Sequence, residues 1–300
     1  VSTPIAIANR LAKGSSRAQV YRHIIQRGLL LVLLGAVYNG FLKFKWAEPD
    51  HWANMRYCSV LGRIGLAYMF AALIVMNTQW RARLWWIGGI LIGYWVALKF
   101  IPVPGFGAGD LAPGHTLTDY IDRLLVPGKL YRGDRDPEGL FAVFPAIATA
   151  LSGSVAGQLL QDRTLSGLRK TGTLALAGVG CLFLAWLWNF NFPINKNLWT
   201  SSFVLQCAGL SLLLLSVFYL VIDVWKFRRG SFVFVVIGAN SILIYLAPKF
   251  IDFYKLTHGL LDGAASLTGS FGPVVIAVGM VLVKWLMLFL CYRKRIFLKV

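Results

Sequence analysis

The sequence predicts an all-α integral membrane protein, a bundle of eight full transmembrane helices preceded by the end of a truncated first span. Two observations support this prediction. Hydrophobic residues make up 57% of the 300-residue chain and charged residues 14%, whereas about a quarter of a soluble domain is charged. The basic residues are also distributed unevenly between long apolar runs, and each run has about the length of a helix that crosses the hydrocarbon core.

The apolar runs follow one another along nearly the whole chain. They occupy roughly residues 24–42, 58–76, 84–101, 139–160, 172–190, 200–222, 231–248 and 272–292. Seventeen of the 30 Lys and Arg residues lie in every second gap and in the C-terminal tail, accompanied only by the acids Asp162 and Asp223. The positive-inside rule therefore places these gaps and the C-terminus in the cytoplasm. Short basic clusters at helix ends indicate lipid rather than nucleic-acid partners.

The first residues and the longest gap complete the predicted organisation, a single domain over residues 1–300. Residues 1–12 are interpreted as the last turns of a span that starts before Val1, the alternative being an amphipathic helix on the membrane surface. The non-cytoplasmic gap 102–138 contains a Pro/Gly turn region and then a short amphipathic helix, which starts near Thr118 or Asp119. Two roles are possible for this loop, a lid over an opening and a passive cap. The predicted apolar face of its helix comprises Leu117, Tyr120, Ile121, Leu124 and Leu125.

Four polar residues lie within predicted spans, where an unpaired polar group is costly. Lys284 is close to the midplane of the last span, so it needs a partner or an aqueous cavity, in a structural or a functional role. Arg63 is near the non-cytoplasmic end of its span, where snorkelling could satisfy it. Asn240 and Ser241 lie in the middle of a span. They could bond to another helix or contact a substrate, and the sequence does not distinguish these roles.

Two polar turns precede predicted spans. In residues 134–139, DRDPEG, helix capping alone explains Asp136 and Pro137. Residues 193–202, PINKNLWTSS, contain more polar groups than a capped turn needs, beside a helix N-terminus that favours an anion or a carbonyl oxygen. The second turn is therefore the stronger candidate for function. Its candidate site residues are Asn195, Lys196, Asn197 and Ser201.

The histidines and cysteines do not form a recognisable metal-binding pattern, so no metal site is predicted. His23 belongs to a cytoplasmic basic stretch. His51, His115 and His258 lie on non-cytoplasmic loops, where a solvated histidine is the ordinary interpretation of each. The sequence also lacks the Walker, GxSxG, HExxH and Rossmann motifs.

Four segments resemble the bacterial relatives of heparan-α-glucosaminide N-acetyltransferase, which are NagX- or YeiB-like membrane proteins. The segments are residues 60–68 (VLGRIGLAY), 136–140 (DPEGL), 193–202 (PINKNLWTSS) and 238–245 (GANSILIY). Their order and rough spacing match along nearly the whole chain, and PINKNLW is the most specific of the four.

The resemblance implies a transmembrane acyltransferase of the bacterial inner membrane. Such an enzyme uses cytosolic acetyl-CoA as co-substrate, acetylates an amino sugar on the far side, and could form a homodimer. It also implies that the cofactor or acceptor cavity is lined by Arg63, Asn195, Lys196, Asn197, Ser201, Asn240 and Ser241, with the midplane Lys284 as a further candidate. The family's histidine is expected upstream of Val1, so the catalytic residue is unknown among the residues given.

Two other classes of function remain open from the sequence. A sugar or amino-sugar transporter would also need many spans and a midplane lysine, but it would predict an internal repeat, and FPINKNLWTSS has no counterpart near residue 50. A non-catalytic membrane assembly protein is the third possibility. It is favoured by the expected position of the histidine outside this sequence.

Overall fold

A computed structural model describes residues 1–41 and 48–298, and the regular structure in these ranges is helical. Extended pairing within them is limited to isolated bridges between Arg56 and Gly128 and between Val103 and Gly107. The helices are α1 (Ser2–Ala12), α2 (Arg17–Tyr38), α3 (Pro49–Asn54), α4 (Val60–Asn77), α5 (Trp80–Phe100), α6 (Leu117–Leu125), α7 (Val143–Gln161), α8 (Gly167–Asn189), α9 (Ser201–Tyr219), α10 (Ser231–Ala239), α11 (Ser241–Leu246), α12 (Phe253–Leu267) and α13 (Gly272–Arg293).

Within the described ranges, six helices are long and apolar enough to cross a membrane, which confirms the prediction of an all-α membrane protein. They are α2, α4, α7, α8, α9 with its π-helical extension to Val224, and α13 with the short turn that precedes it. The pair α10 and α11, bent by 70°, would form a seventh span. The remaining predicted run, residues 84–101, forms the 21-residue helix α5, in which tryptophan, tyrosine and charged residues reduce the mean hydropathy. The sequence therefore overestimated the number of strongly apolar spans by one or two.

The chain divides into two compact units, Val1–Val224 and Trp225–Val300, which are described separately. A single domain over residues 1–300 stays a prediction. In the first unit α4 packs between α2 and α7. A Cβ atom at Gly65 would lie 2.6 Å from the carbonyl oxygen of Gly28, so the glycine lets α2 and α4 approach closely. Small residues on α4, Ala67 and Ala71, belong to the core against α7.

Helix α1 also packs against α7. Pro4 is buried, and a Cβ atom at Gly157 would collide with the Val1 carbonyl oxygen. This contact places residues 2–12 against a membrane-spanning helix. What precedes them stays a prediction.

Helix α6 confirms the predicted short helix in the 102–138 loop and its start near Thr118, but the face that it buries differs from the predicted apolar face. Thr116 is the N-cap, and it forms a capping box with Asp119. The helix buries its polar face, whereas Leu124 and Leu125 are each 64% exposed. Hydrogen bonds between the loops and these polar side chains fix how the helix is rotated about its own axis. The apolar periodicity alone could not show it, because lipid can also cover the leucines.

Candidate functional site

A cavity of about 440 Å³ lies between α4 and α7 in the first unit. Arg63, in the first turns of α4, and Val75, in its last turn, both line it. At 1.5 Å per residue these positions are about 18 Å apart along the helix axis, so the cavity follows most of the span. Glu138, Lys196 and Trp199 from the two polar turns also line it. The cavity therefore joins a mainly apolar helix surface to charged and aromatic side chains.

Arg63 is the most constrained charged residue of this cavity. Its side chain is only 7% exposed, so it does not snorkel to water as the sequence allowed. One terminal nitrogen, Nη2, donates to the Pro137 carbonyl oxygen at 2.5 Å and lies 3.4 Å from Oε1 of Glu138. The other terminal nitrogen, Nη1, is buried and has no hydrogen-bond partner among the described residues. A ligand carbonyl or anion is the kind of group that would satisfy it.

Glu138 belongs to an ion network that capping does not explain. Arg56 holds Asp136 through two hydrogen bonds, Nε to Oδ2 at 2.7 Å and Nη2 to Oδ1 at 2.6 Å, and also donates to Glu138. Burial alone would lower the Arg56 pKa, but the hydrogen bonds and charges of both acids raise it above its ordinary value. Since α7 begins at Val143, the prediction that Asp136 and Pro137 cap it was wrong. Asp136 is buried because it pairs across the fold.

The 193–202 turn uses most of its polar side chains to form its own backbone geometry. Asn195 Oδ1 accepts hydrogen bonds from the N–H groups of Asn197 at 2.9 Å and Leu198 at 3.3 Å. Thr200 caps α9 and donates to the Pro193 carbonyl oxygen at 2.9 Å. Ser201 donates to the Leu91 carbonyl oxygen on α5 at 2.7 Å. Asn195, Asn197 and Ser201 are absent from the lining of the cavity, so their binding roles stay predictions.

Lys196 and Trp199 are the two residues of this turn that line the cavity. Lys196 is exposed, and its ammonium group has neither a hydrogen bond nor an ion pair within the described ranges. Trp199 has a φ of 52°, a conformation that a bulky residue adopts only when its surroundings impose it. Its indole ring lies 4.4 Å from the Arg63 guanidinium carbon, and its Nε1 donates to Thr149 Oγ1 at 3.2 Å. The strained backbone therefore places an aromatic face on the buried arginine.

Sequence reasoning singled out Arg63 and Lys196 but missed the contributions of Glu138 and Trp199. Both were inside the segments that resemble the family, DPEGL and PINKNLWTSS, so the motifs contained the signal. Periodicity and capping could not identify their partners, because Arg63 and Pro137 are 74 residues apart in the chain.

The remaining predicted site residues lie in the second unit. The Asn240 amide, at the bend between α10 and α11, donates to the Ile296 carbonyl oxygen at 2.9 Å and accepts from the Leu298 N–H at 3.1 Å. Both its polar groups are thus bonded to the C-terminal segment. Ser241 is exposed. Lys284 is half-buried, with its ammonium nitrogen 5.4 Å from the centre of the Phe253 ring. Substrate contacts by these residues stay predictions.

The loop histidines occupy three different environments, and none of them lines the α4–α7 cavity. His51 has a buried Nε2 without a hydrogen-bond partner in the described part of the chain. His115 Nδ1 lies 2.8 Å from Asp110 Oδ2, and His258 Nδ1 lies 2.6 Å from Asp262 Oδ1. His23, on α2, is bonded to Arg10 at 2.8 Å. The catalytic histidine expected before Val1 stays a prediction.

Comparison with known proteins supports the resemblance found in the motifs. No family model matches the chain. Human heparan-α-glucosaminide N-acetyltransferase is 27% identical over 353 residues, which covers 99% of this chain and 51% of the human protein. The mouse protein of the same name is 26% identical over 353 residues, covering 99% of the chain and 52% of its own length. The chain thus spans about half the length of these curated relatives. The chain is a distant homologue of the heparan-α-glucosaminide N-acetyltransferases.

Proposed function

We propose that the chain forms the ligand cavity of a transmembrane acyltransferase. It would take an acetyl group from cytosolic acetyl-CoA and deliver it to an amino sugar of the glucosamine type on the non-cytoplasmic side. The observation that supports this most is the Arg63 guanidinium, which is buried at the cavity with one terminal nitrogen that has no hydrogen-bond partner among the described residues. The names of the human and mouse relatives supply the reaction and the acceptor class.

The chemistry of acetyl transfer suits such a donor. The acceptor nitrogen forms a bond to the acetyl carbon, the C–S bond breaks, the amine loses a proton and the CoA sulfur takes one up. Negative charge develops on the carbonyl oxygen as the nitrogen attacks, and a positioned cationic donor stabilises that charge. Arg63 is the candidate for this role. The Lys196 ammonium has no partner in the part of the chain that the structure describes, and it is the candidate for a second contact to ligand oxygens.

The topology fits a donor that arrives from the cytoplasm. The predicted cytoplasmic gaps and tail contain 17 basic residues and two acids, so this face attracts a polyanion such as acetyl-CoA. The cavity follows α4 along most of its length. An extended ligand could therefore enter at one membrane face and reach Arg63 near the other.

The test is equilibrium binding of radiolabelled acetyl-CoA to the chain in lipid nanodiscs. Arg63→Ala should weaken binding by about 1.5–3 kcal/mol, because it removes a charge-assisted hydrogen bond in a poorly solvated site. Lys196→Ala should weaken binding less, because Lys196 is exposed and water screens its charge. Lys129→Ala is the matched control, since Lys129 is an exposed lysine that does not line the cavity. Folded variants of Arg63 and Lys196 that bind like the parent would place the ligand elsewhere.

A transporter of amino sugars is the second candidate, because a cavity that follows a span could also be a permeation path. Proteoliposomes separate the two functions. Uptake of radiolabelled glucosamine without acetyl-CoA would favour the transporter. Acetyl-CoA binding that depends on Arg63, with no such uptake, would favour the acyltransferase, and the absence of both would favour an assembly protein.

A further inference from the structure

Helix α6 places a buried carboxyl group beside the turn that leads from the cavity into α7. Asp122 is fully buried on the polar face of α6. Its Oδ1 accepts a hydrogen bond from the Leu140 N–H at 2.8 Å, and the Phe141 N–H also points at this carboxyl group. Its Oδ2 is buried without a partner in the described ranges. Asp122 is therefore attached to residues 140 and 141 but is only partly satisfied.

The turn leaves no free space around this carboxyl group. A Cβ atom at Gly139 would collide with the Asp122 carboxylate, so the backbone at 139 lies directly against it. Glu138 immediately precedes Gly139, and its carboxylate reaches both Arg56 and Arg63. The segment from 138 to 141 is consequently fixed by Asp122 on one side and by the ion network on the other. A movement of the Asp122 carboxyl group would be transmitted to Glu138 through a single glycine.

The charged and titratable groups that face Asp122 oppose its ionised form. Asp119 faces it from its own helix and Asp136 from the 134–139 turn, while Tyr94 faces it from α5 and Cys58 from the segment before α4. The nearby arginines, Arg56 and Arg63, are already paired with Asp136 and Glu138. The network of two arginines and two acids is neutral without Asp122, so an ionised Asp122 would add an uncompensated charge.

The environment of Asp122 places the titration of its carboxyl group in the physiological pH range. Burial raises the pKa of Asp122, the N–H groups of Leu140 and Phe141 lower it, and the charges of Asp136 and Asp119 raise it, so that the pKa is about 7. A raised carboxyl pKa means that the folded state binds the proton more tightly than the unfolded state. Asp122 therefore reduces stability progressively as the pH rises from about 4 to about 7.

We propose that Asp122 is a positioning residue whose carboxyl group holds the turn at 139–141 and thereby sets Glu138 against Arg63. Loss of its proton would shift this turn and change the charged end of the cavity, giving ligand binding a pH dependence. The inference rests on the proposed function for the identity of the ligand only. The coupling between Asp122 and Arg63 is a property of the fold and can be measured without a ligand.

The ligand-free measurement uses Trp199, whose ring contacts Arg63. The Trp199 signal is the difference in tryptophan fluorescence between a protein and the same protein carrying Trp199→Phe, recorded from about pH 5 to pH 9. The parent signal should titrate with a midpoint near pH 7. Asp122→Asn keeps the acceptor for the Leu140 N–H and should abolish this titration. Asp119→Asn is the matched control, since Asp119 is a buried acid of the same helix that bonds residues 114 and 116 instead. It should keep the titration with a lowered midpoint, because the charge of Asp119 raises the pKa of Asp122.

The second measurement is the pH profile of acetyl-CoA binding in nanodiscs. Parent affinity should change by about fivefold or more across the titration, a typical allosteric coupling. Asp122→Asn should keep only the change that comes from the phosphate monoester of acetyl-CoA, which titrates at about pH 6. A binding profile equal to the parent's, or a Trp199 titration that persists, in folded Asp122→Asn would overturn the positioning role. If acetyl-CoA bound at none of the pH values tested, this would count against the proposed function. The fluorescence titration would still decide the role of Asp122.

Gly139→Ala covers the case in which Asp122→Asn does not fold. It leaves the carboxyl group in place but puts a methyl group against it. The Trp199 titration of this variant should shift or weaken relative to the parent. An unchanged titration in folded Gly139→Ala would show that the turn does not transmit the state of Asp122.

Discussion

Two polar turns line the cavity. The side chains of one turn bond to distant parts of the chain, whereas those of the other bond largely within the turn. In residues 134–139 the acids reach out of the turn: Asp136 pairs with Arg56, and Glu138 with Arg56 and Arg63. In residues 193–202 the bonds of Asn195 and Thr200 stay largely inside the turn. The first turn is consequently a junction between distant segments, whereas the second is a self-supporting scaffold that presents Lys196 and Trp199. The number of polar residues in a turn is thus a weaker indicator of function than the location of their partners.

The largest loss in the free energy of unfolding should come from breaking the ion pairs of residues 134–139. Asp136→Ala leaves the Arg56 guanidinium without its main partner in a mostly buried position, so we expect a loss of about 3–5 kcal/mol in the free energy of unfolding. Denaturant unfolding in detergent micelles measures this loss. Asp134→Ala is the control in the same turn, because its side chain is 49% exposed and its pair with Arg135 should be worth less than about 1 kcal/mol. Equal losses for the two variants would remove the distinction between a junction and a solvated turn.

An intermediate effect is expected from breaking the scaffold. Thr200→Ala removes the N-cap of α9 and the bond to Pro193, which should reduce the free energy of unfolding by about 1–2 kcal/mol. Asn197→Ala, an exposed residue of the same turn, should change it by less than about 0.5 kcal/mol. The same unfolding measurement applies. If Thr200→Ala were as harmful as Asp136→Ala, the second turn would also be a tertiary junction.

The smallest loss of stability should come from weakening the contacts of Trp199 with Arg63 on α4 and Thr149 on α7. Trp199→Phe keeps an aromatic ring for Arg63 but loses the hydrogen bond to Thr149, so the free energy of unfolding should fall by about 1 kcal/mol. Thr149→Val removes the same bond from the other side and should reproduce most of this loss. Trp85→Phe, at a position that is 84% exposed, is the control and should be nearly neutral. No change in Trp199→Phe would mean that the indole N–H does not contribute to holding the strained residue.

Much of the fold could be predicted from local pattern, while the site could be predicted only in part. The all-helical membrane class, the start of α9 at Thr200 and the short helix in the 102–138 loop followed from hydropathy and turn chemistry. The face that α6 buries did not, since Leu124 and Leu125 are exposed and the acids of the helix bind loop backbone. Arg63 was identified because an ionisable group in a span needs a partner. Its partner Glu138 was not, because the local sequence offered a capping explanation for that turn.

The sequence by itself determined that the chain crosses a membrane as helices and, through its motifs, to which proteins it is related. Lipid offers no hydrogen bonds to the backbone, so a long apolar run has little choice other than a helix. The tertiary structure alone decided which polar groups meet. Arg56 and Asp136 are 80 residues apart, and Asp122 and Leu140 are 18 apart. Their bonds depend on how loops and helices pack around the cavity, and such long-range packing leaves no period in the sequence.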